Sequence, residues 1–470
     1  MAVKNCVSFI ILCLFLVVLL SACGLIRSGL GQTPQPSSPA VVTEAVTTLP
    51  FLISTATLPP ILAVEATQQP TPENEVAITK VNSYLDVVGV WTFLGLITNN
   101  SASAVTDIQV EVDLFDASGI SLYKSNASIA IYSLAPGEST PFTLTVSDNL
   151  PKLDHFKAVI VNKKPVELKR LAVDLSGAMT IIDDHGGVHI TGKIINNSEQ
   201  PAVINRLAAA TFDKEGQIIT AGAATVIISY LGPGESAPFR VTMNAPTSGT
   251  EKIIDYKVYI DSESASPANM FTINIFQPPY TYVDTFGWLH VLGEVQNKGV
   301  ETLNIRLLTA AFDGSGNVLD AASLDLPLPA LAPGESLPYD IEGWGPLNAK
   351  TGLLPQVTSF SLQWDPYWTW VIDKKYIPLV AVVNNYTYDA SYGKFTGQVL
   401  NDSAGPVENT VVIVGLRNKT TGQIVGADYT TILEQIPEGG SAGYLVDIAK
   451  ESGFDPDSAD YFVIAKGVRP

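Results

Sequence analysis

Hydrophobic and polar positions follow three regimes along the chain. An apolar run from Val7 to Leu20 stands behind a single basic residue, Lys4. Residues 24 to about 76 carry no hydrophobic period. From about 77 onward, short segments alternate polar and apolar positions, as in Gln109-Val110-Glu111-Val112-Asp113-Leu114-Phe115. That alternation predicts half-buried strands. Turn signals separate them, such as Asp116-Ala117-Ser118-Gly119, where glycine is free to take a positive φ. Outside the leading run, no stretch carries a helical period of useful length.

The strand pattern repeats. Four segments align on a glycine followed by an Asn-rich turn: Gly95 before Asn99-Asn100-Ser101, Gly192 before Asn196-Asn197-Ser198, Gly293 before Asn297-Lys298-Gly299, and Gly397 before Asn401-Asp402-Ser403. A second landmark follows each: Pro136-Gly137-Glu138-Ser139, Pro233-Gly234-Glu235-Ser236, Pro333-Gly334-Glu335-Ser336 and Pro437-Glu438-Gly439-Gly440-Ser441. Glycine and proline lie 41, 41, 40 and 40 residues apart, and the glycines recur after 97, 101 and 104 residues. A period near 100 describes a domain, because solenoid units run about 20–50 residues. Asp213-Lys214-Glu215-Gly216 and Asp313-Gly314-Ser315-Gly316 repeat the first turn; the fourth copy has the longer Asn418-Lys419-Thr420-Thr421-Gly422. Glycine within a strand marks a bulge or a close backbone approach. About six or seven short strands per copy predict a β-sandwich.

A glycine strand, Asn-Asn-Ser, a strand ending Phe-Asp-x-x-Gly, and Leu-x-Pro-Gly-Glu-Ser before an aromatic residue together resemble the FxLYD-type domain. The resemblance covers most of the first three copies and the fourth more weakly. It implies small immunoglobulin-like sandwiches of bacterial and archaeal surface and secreted proteins. It brings no catalytic residues.

Composition changes the picture at the N-terminal end. A basic start, an apolar run and small residues compose a secretory signal. The sequence Leu20-Ser21-Ala22-Cys23 resembles the lipobox of bacterial lipoproteins. That resemblance implies a diacylglyceryl group on Cys23, which cleavage would leave as the first residue. The other cysteines, Cys6 and Cys13, lie in the removed segment, so no disulfide is expected within the mature chain. Net charge is −19, or −20 once Lys4 is removed. An acidic chain argues against nucleic-acid partners, which need clustered lysine and arginine. The Pro-, Ser- and Thr-rich stretch after Cys23 reads as a flexible tether with polyproline II character, reaching on the order of 150 Å at ~3.1 Å per residue. The expected organisation is therefore all-β: signal peptide 1–22, lipid-anchored linker 23–76, and four tandem immunoglobulin-like β-sandwiches at 77–165, 166–264, 265–370 and 371–470.

Candidate chemistry is sparse. Four histidines, at 155, 185, 189 and 290, have no Gly-x-Ser-x-Gly elbow or free cysteine to serve. Asp183-Asp184-His185-Gly186-Gly187-Val188-His189 could bring imidazoles near carboxylates, but it sits where a hairpin turn is expected, with His189 alternating along a strand. The Asp-x-x-Gly turns offer one carboxylate each, too few for the six to eight oxygens of calcium. No metal, cofactor or enzymatic activity is expected. The strongest binding candidate is aromatic: Trp364, Tyr367, Trp368 and Trp370, with Trp344 nearby. Such rings fill interdomain seams or contact partners and sugars; the expected place is the joint between the third and fourth copies. The leading expectation is a non-catalytic stalk or protein-interaction module, anchored to the membrane through Cys23 and facing the extracytoplasmic side. The alternatives are a glycan-binding or adhesive protein using the aromatic patch, and an enzyme or accessory subunit acting on envelope polymers. Partners would be envelope proteins or glycans.

Overall fold

The computed structural model describes residues 75–470, apart from 87, 148, 149, 151, 245, 267–270 and 349. The signal, Cys23 and nearly all of the tether lie outside the described residues. Among those described, secondary structure is strand, with three single-turn 3-10 helices and no helix long and apolar enough to cross a membrane.

The chain folds into four β-sandwiches. In the first, one sheet runs in the order Val76–Leu85, Trp91–Asn99, Ser139–Val146 and Ser128–Ile129. The facing sheet runs Ser121–Asn126, Val105–Asp116, Leu153–Pro165. All pairs are antiparallel. This division, four strands against three, is the immunoglobulin-like arrangement. The predicted alternation holds: Val110, Val112 and Leu114 are fully buried, while Glu111 and Asp113 are not.

The same plan returns three more times. The second sandwich pairs Val188–Ile195 with Asp174–Ile182 and Ser236–Met243, and packs these on Ala202–Phe212 and Asp255–Ser264; here Ile218–Ile227 pairs with both layers and joins them into one seven-stranded sheet. The third sets Leu289–Asn297 and Ser336–Ile341 against Arg306–Phe312, Val318–Asp325 and Ser359–Trp364. The fourth sets Val380–Tyr388, Tyr392–Leu400 and Ser441–Ala449 against Glu408–Asn418, Ile424–Ile432 and Ala459–Val468. Each sandwich has its own apolar core.

The two sequence landmarks meet in space. Gly95 lies opposite Phe142 across the sheet, Gly192 opposite Phe239, Gly293 opposite Tyr339 and Gly397 opposite Tyr444. The aromatic ring lies over the glycine, and a Cβ on Gly95 would stand only 2.7 Å from the Phe142 ring. The strand glycine is thus a close approach, as its position implied. The asparagine four residues later is fully buried in every copy: Asn99, Asn196, Asn297 and Asn401. Its amide donates to two backbone carbonyls, one beside the turn and one beside the second landmark. For Asn196 these are Gln200 O at 2.8 Å and Leu231 O at 3.0 Å.

Successive sandwiches stack face to face. The outer side of one sandwich's Gly-strand sheet is covered by the outer side of the next one's Phe-Asp strand. Ala208, Ala210 and Phe212 of the second sandwich join the core of the first, and Leu308 and Ala310 of the third join that of the second. Val411 and Ile413 of the fourth join that of the third. In the first sandwich the matching positions are Glu111 and Asp113, which pair with Lys124 in the open. Lysines clamp two of the joints. The Lys80 ammonium lies 4.9 Å from the Phe212 ring and donates to Gly216 O, and Lys193 lies 4.8 Å from Phe312 and donates to Gly316 O. At the third joint the matching residues are Glu294 and Arg417, which form an ion pair of 3.2 Å.

Candidate functional site

The aromatic residues do not form one patch. Trp344 is buried in the third core, with its indole N–H on Ile341 O at 3.3 Å and its ring 6.1 Å from Phe360. Trp364 packs on the same core beside Phe271. Tyr367, Trp368 and Trp370 are 56%, 43% and 44% exposed. The expected seat between the third and fourth sandwiches is corrected for Trp368. Its indole N–H donates to Ser229 Oγ of the second sandwich at 2.8 Å, with Arg306 over its ring at 5.7 Å. Asp365, fully buried, accepts from the Ser229 N–H at 3.0 Å and from the Tyr367 N–H at 2.9 Å. The segment is bent back by this carboxylate, so Trp368 faces backward along the array. Trp370 pairs its backbone with Asn304 inside the third sandwich.

The Asp183–Gly187 segment forms the expected turn. Asp183 Oδ1 accepts from the His185 and Gly187 N–H groups, and Oδ2 meets His189 Nε2 at 2.9 Å. His189 is a buried strand residue. The Asp-x-x-Gly aspartates behave alike: Asp116, Asp213 and Asp313 each accept two backbone N–H groups of their own turn.

A cluster that the sequence did not disclose lies between the third and fourth sandwiches. His290, 1% exposed, stands on the Gly293 strand. Its Nδ1 is 2.8 Å from Asp340 Oδ2, and its Nε2 is 3.6 Å from Asp284 Oδ2. The Tyr282 ring stacks on the imidazole at 4.6 Å, and its hydroxyl donates to Ala449 O of the fourth sandwich. The ligating atoms of His290, Asp340 and Glu342 all lie within 4.8 Å of one another. Asp428 approaches from the fourth sandwich. Two buried atoms here lack a hydrogen-bond partner, His290 Nε2 and Asp340 Oδ1. Among the described residues, no lysine or arginine forms an ion pair with Asp284, Asp340, Glu342 or Asp428.

Burial alone would push the His290 imidazole down. The hydrogen bond and charge of Asp340, with Glu342 and Asp284 behind, lift it to about 9 instead. Burial pushes the Asp340 carboxyl up, against the pull of His290. Asp428 is pushed up to about 7, chiefly by burial and then by the charges of Glu342 and Asp340. The cluster is therefore an acidic group at a domain boundary, buried at His290 and Asp340 and open at Glu342. Its signal was invisible to local reading, because His290 and Asp340 are 50 residues apart.

Comparison with known proteins adds little. No family profile and no curated protein matches the chain. Among solved structures, the native conformation of Escherichia coli alpha-2-macroglobulin is matched at 10% identity over 83% of this chain and 28% of that one, with a TM-score of 0.12. A variant of Salmonella alpha-2-macroglobulin is matched at 10% identity over 84% and 29%, also with a TM-score of 0.12. The chain spans less than a third of either protein, and a score this low carries no argument about function.

Proposed function

We propose that the chain is a non-catalytic, lipid-anchored envelope protein whose four sandwiches serve as an extracytoplasmic stalk or protein-interaction module. The observation that carries this reading is the stacking of the sandwiches. Each joint buries apolar residues from both neighbours, and the first two are clamped by lysines on Phe212 and Phe312. Domains that share buried faces transmit position along the array, which flexible linkers do not. The lipobox-like Leu20-Ser21-Ala22-Cys23 supplies the anchor in this reading, and two acyl chains hold a protein stably at a membrane where one is marginal. The test is Cys23→Ala in a bacterial host. Lipid labelling and membrane fractionation are expected to be lost together. Labelling that persists in the variant would reject the anchor.

A second reading rests on the half-exposed Tyr367, Trp368 and Trp370, whose rings suit stacking on sugars. A glycan array separates the two. Binding that falls in Trp370→Ala supports the adhesive reading, and a blank array supports the stalk.

A further inference from the structure

The acidic seam is chemistry that a stalk does not use, and the joint before it shows what is unusual. Strand positions match between copies, so Arg240 corresponds to Asp340, Thr242 to Glu342 and His189 to His290. At the earlier joint Arg240 donates to the fully buried Asp320 of the next sandwich at 2.9 Å and to Gly343 O. Asp320 also accepts from the Gly345 and Leu347 N–H groups, so both of its oxygens are answered. At the later joint the arginine position is itself an aspartate, and the threonine position beside it is a glutamate. A buried carboxylate is tolerated when it is paired or when it coordinates a metal.

We propose that His290, Asp340 and Glu342 bind a divalent metal ion of the zinc and manganese class at the seam between the third and fourth sandwiches. Three observations carry this. The donor atoms converge within 4.8 Å. Asp340, with a side chain 8% exposed, keeps one oxygen without a hydrogen bond, and so does the buried His290 Nε2. Asp284 and Asp428 add negative charge around the three donors, and the ion would take the place of the second proton on the imidazole. One imidazole with carboxylates is a donor set for zinc or manganese; calcium sites are built from oxygen alone. The stacked Tyr282 ring and the Asp340 Oδ2 contact at Nδ1 would hold the imidazole in orientation and leave Nε2 for the ion. The ion would take the electrostatic place that Arg240 fills one joint earlier. This goes beyond the stalk reading and does not depend on the lipid anchor.

Zinc chloride is the probe, added to full-length chain purified without a histidine tag and stripped by a chelator. Titration calorimetry should show one equivalent bound, and the melting temperature should rise with zinc concentration, as for any ligand of the folded state. Glu342→Gln, at an exposed position, should weaken binding by about tenfold or more, and Asp340→Asn likewise. Asp340→Arg, which copies the earlier joint, should fold and lose the zinc response. Asp184→Asn, in the surface turn of the second sandwich, should leave binding unchanged. Absence of stoichiometric binding overturns the proposal. So does binding untouched by Glu342→Gln, or binding lost in Asp184→Asn instead. An equal response to calcium chloride overturns the metal class.

Discussion

Asn196 illustrates how one side chain can fix a domain. Its amide donates to Gln200 O and Leu231 O, while its carbonyl oxygen accepts from the Ser198 N–H and hydroxyl. Replacing it by alanine removes these hydrogen bonds from a dry interior and leaves a small void, at about 1–3 kcal/mol. We expect Asn196→Ala to lower the urea midpoint accordingly. Asn197→Ala, one residue along and exposed, should stay within about 0.5 kcal/mol. Equal effects of the two would refute the buried staple. The sequence showed Asn-Asn-Ser as a turn and nothing more. Both asparagines suit a turn, and only the packing shows that the first is turned inward.

Among the strands, the pairing of glycine with an aromatic residue organises each sandwich. The Phe142 ring and the Lys80 backbone carbonyl together occupy the volume that a side chain at Gly95 would need, so the two landmarks belong to one packing unit. Gly95→Ala should therefore cost about 1–3 kcal/mol through overpacking. Adding Phe142→Leu should return part of that loss, giving a double-mutant coupling measurable by chemical denaturation. Purely additive effects would argue against the contact. The hairpin and Pro-Gly-Glu-Ser turns, with Gly119 and Gly137 at positive φ, were legible because turn chemistry is local. The joints were not. Ala208 and Ala210 alternate with residues that face their own core, so the strand is apolar on both sides and shows no period to mark its outer face. Trp368 was legible as an anchor, but its partner Ser229 is 139 residues away and no spacing rule reaches it.

For the molecule as a whole, the stack is closed at one end by charge. Glu111 and Asp113 hold polar the face that Ala208 and Ala210, or Leu308 and Ala310, bury in later sandwiches. Repeat arrays need such polar outer faces at their ends, and their stability is a sum of module and interface terms. Ala310→Asp places the first sandwich's residue into a buried joint. An unpaired charge there should cost several kcal/mol, and calorimetry should show unfolding of the second and third sandwiches drifting apart. A single unchanged transition would mean that the joint contributes little.

The alternation of clamps has a consequence for how such a chain can be copied and rearranged. Tandem modules can be lost or duplicated as units in the encoding DNA. Here the protein discriminates against the products. Lys193 suits the Phe312 ring ahead of it, and Glu294 suits Arg417. If the third copy were deleted, Lys193 would meet Arg417 at that contact, like charge against like. If the third were duplicated, Glu294 would meet the face of an aromatic ring, which repels anions. The second and third joints therefore disfavour these two rearrangements at that contact, so part of the order of the copies is written into the surfaces that hold them together.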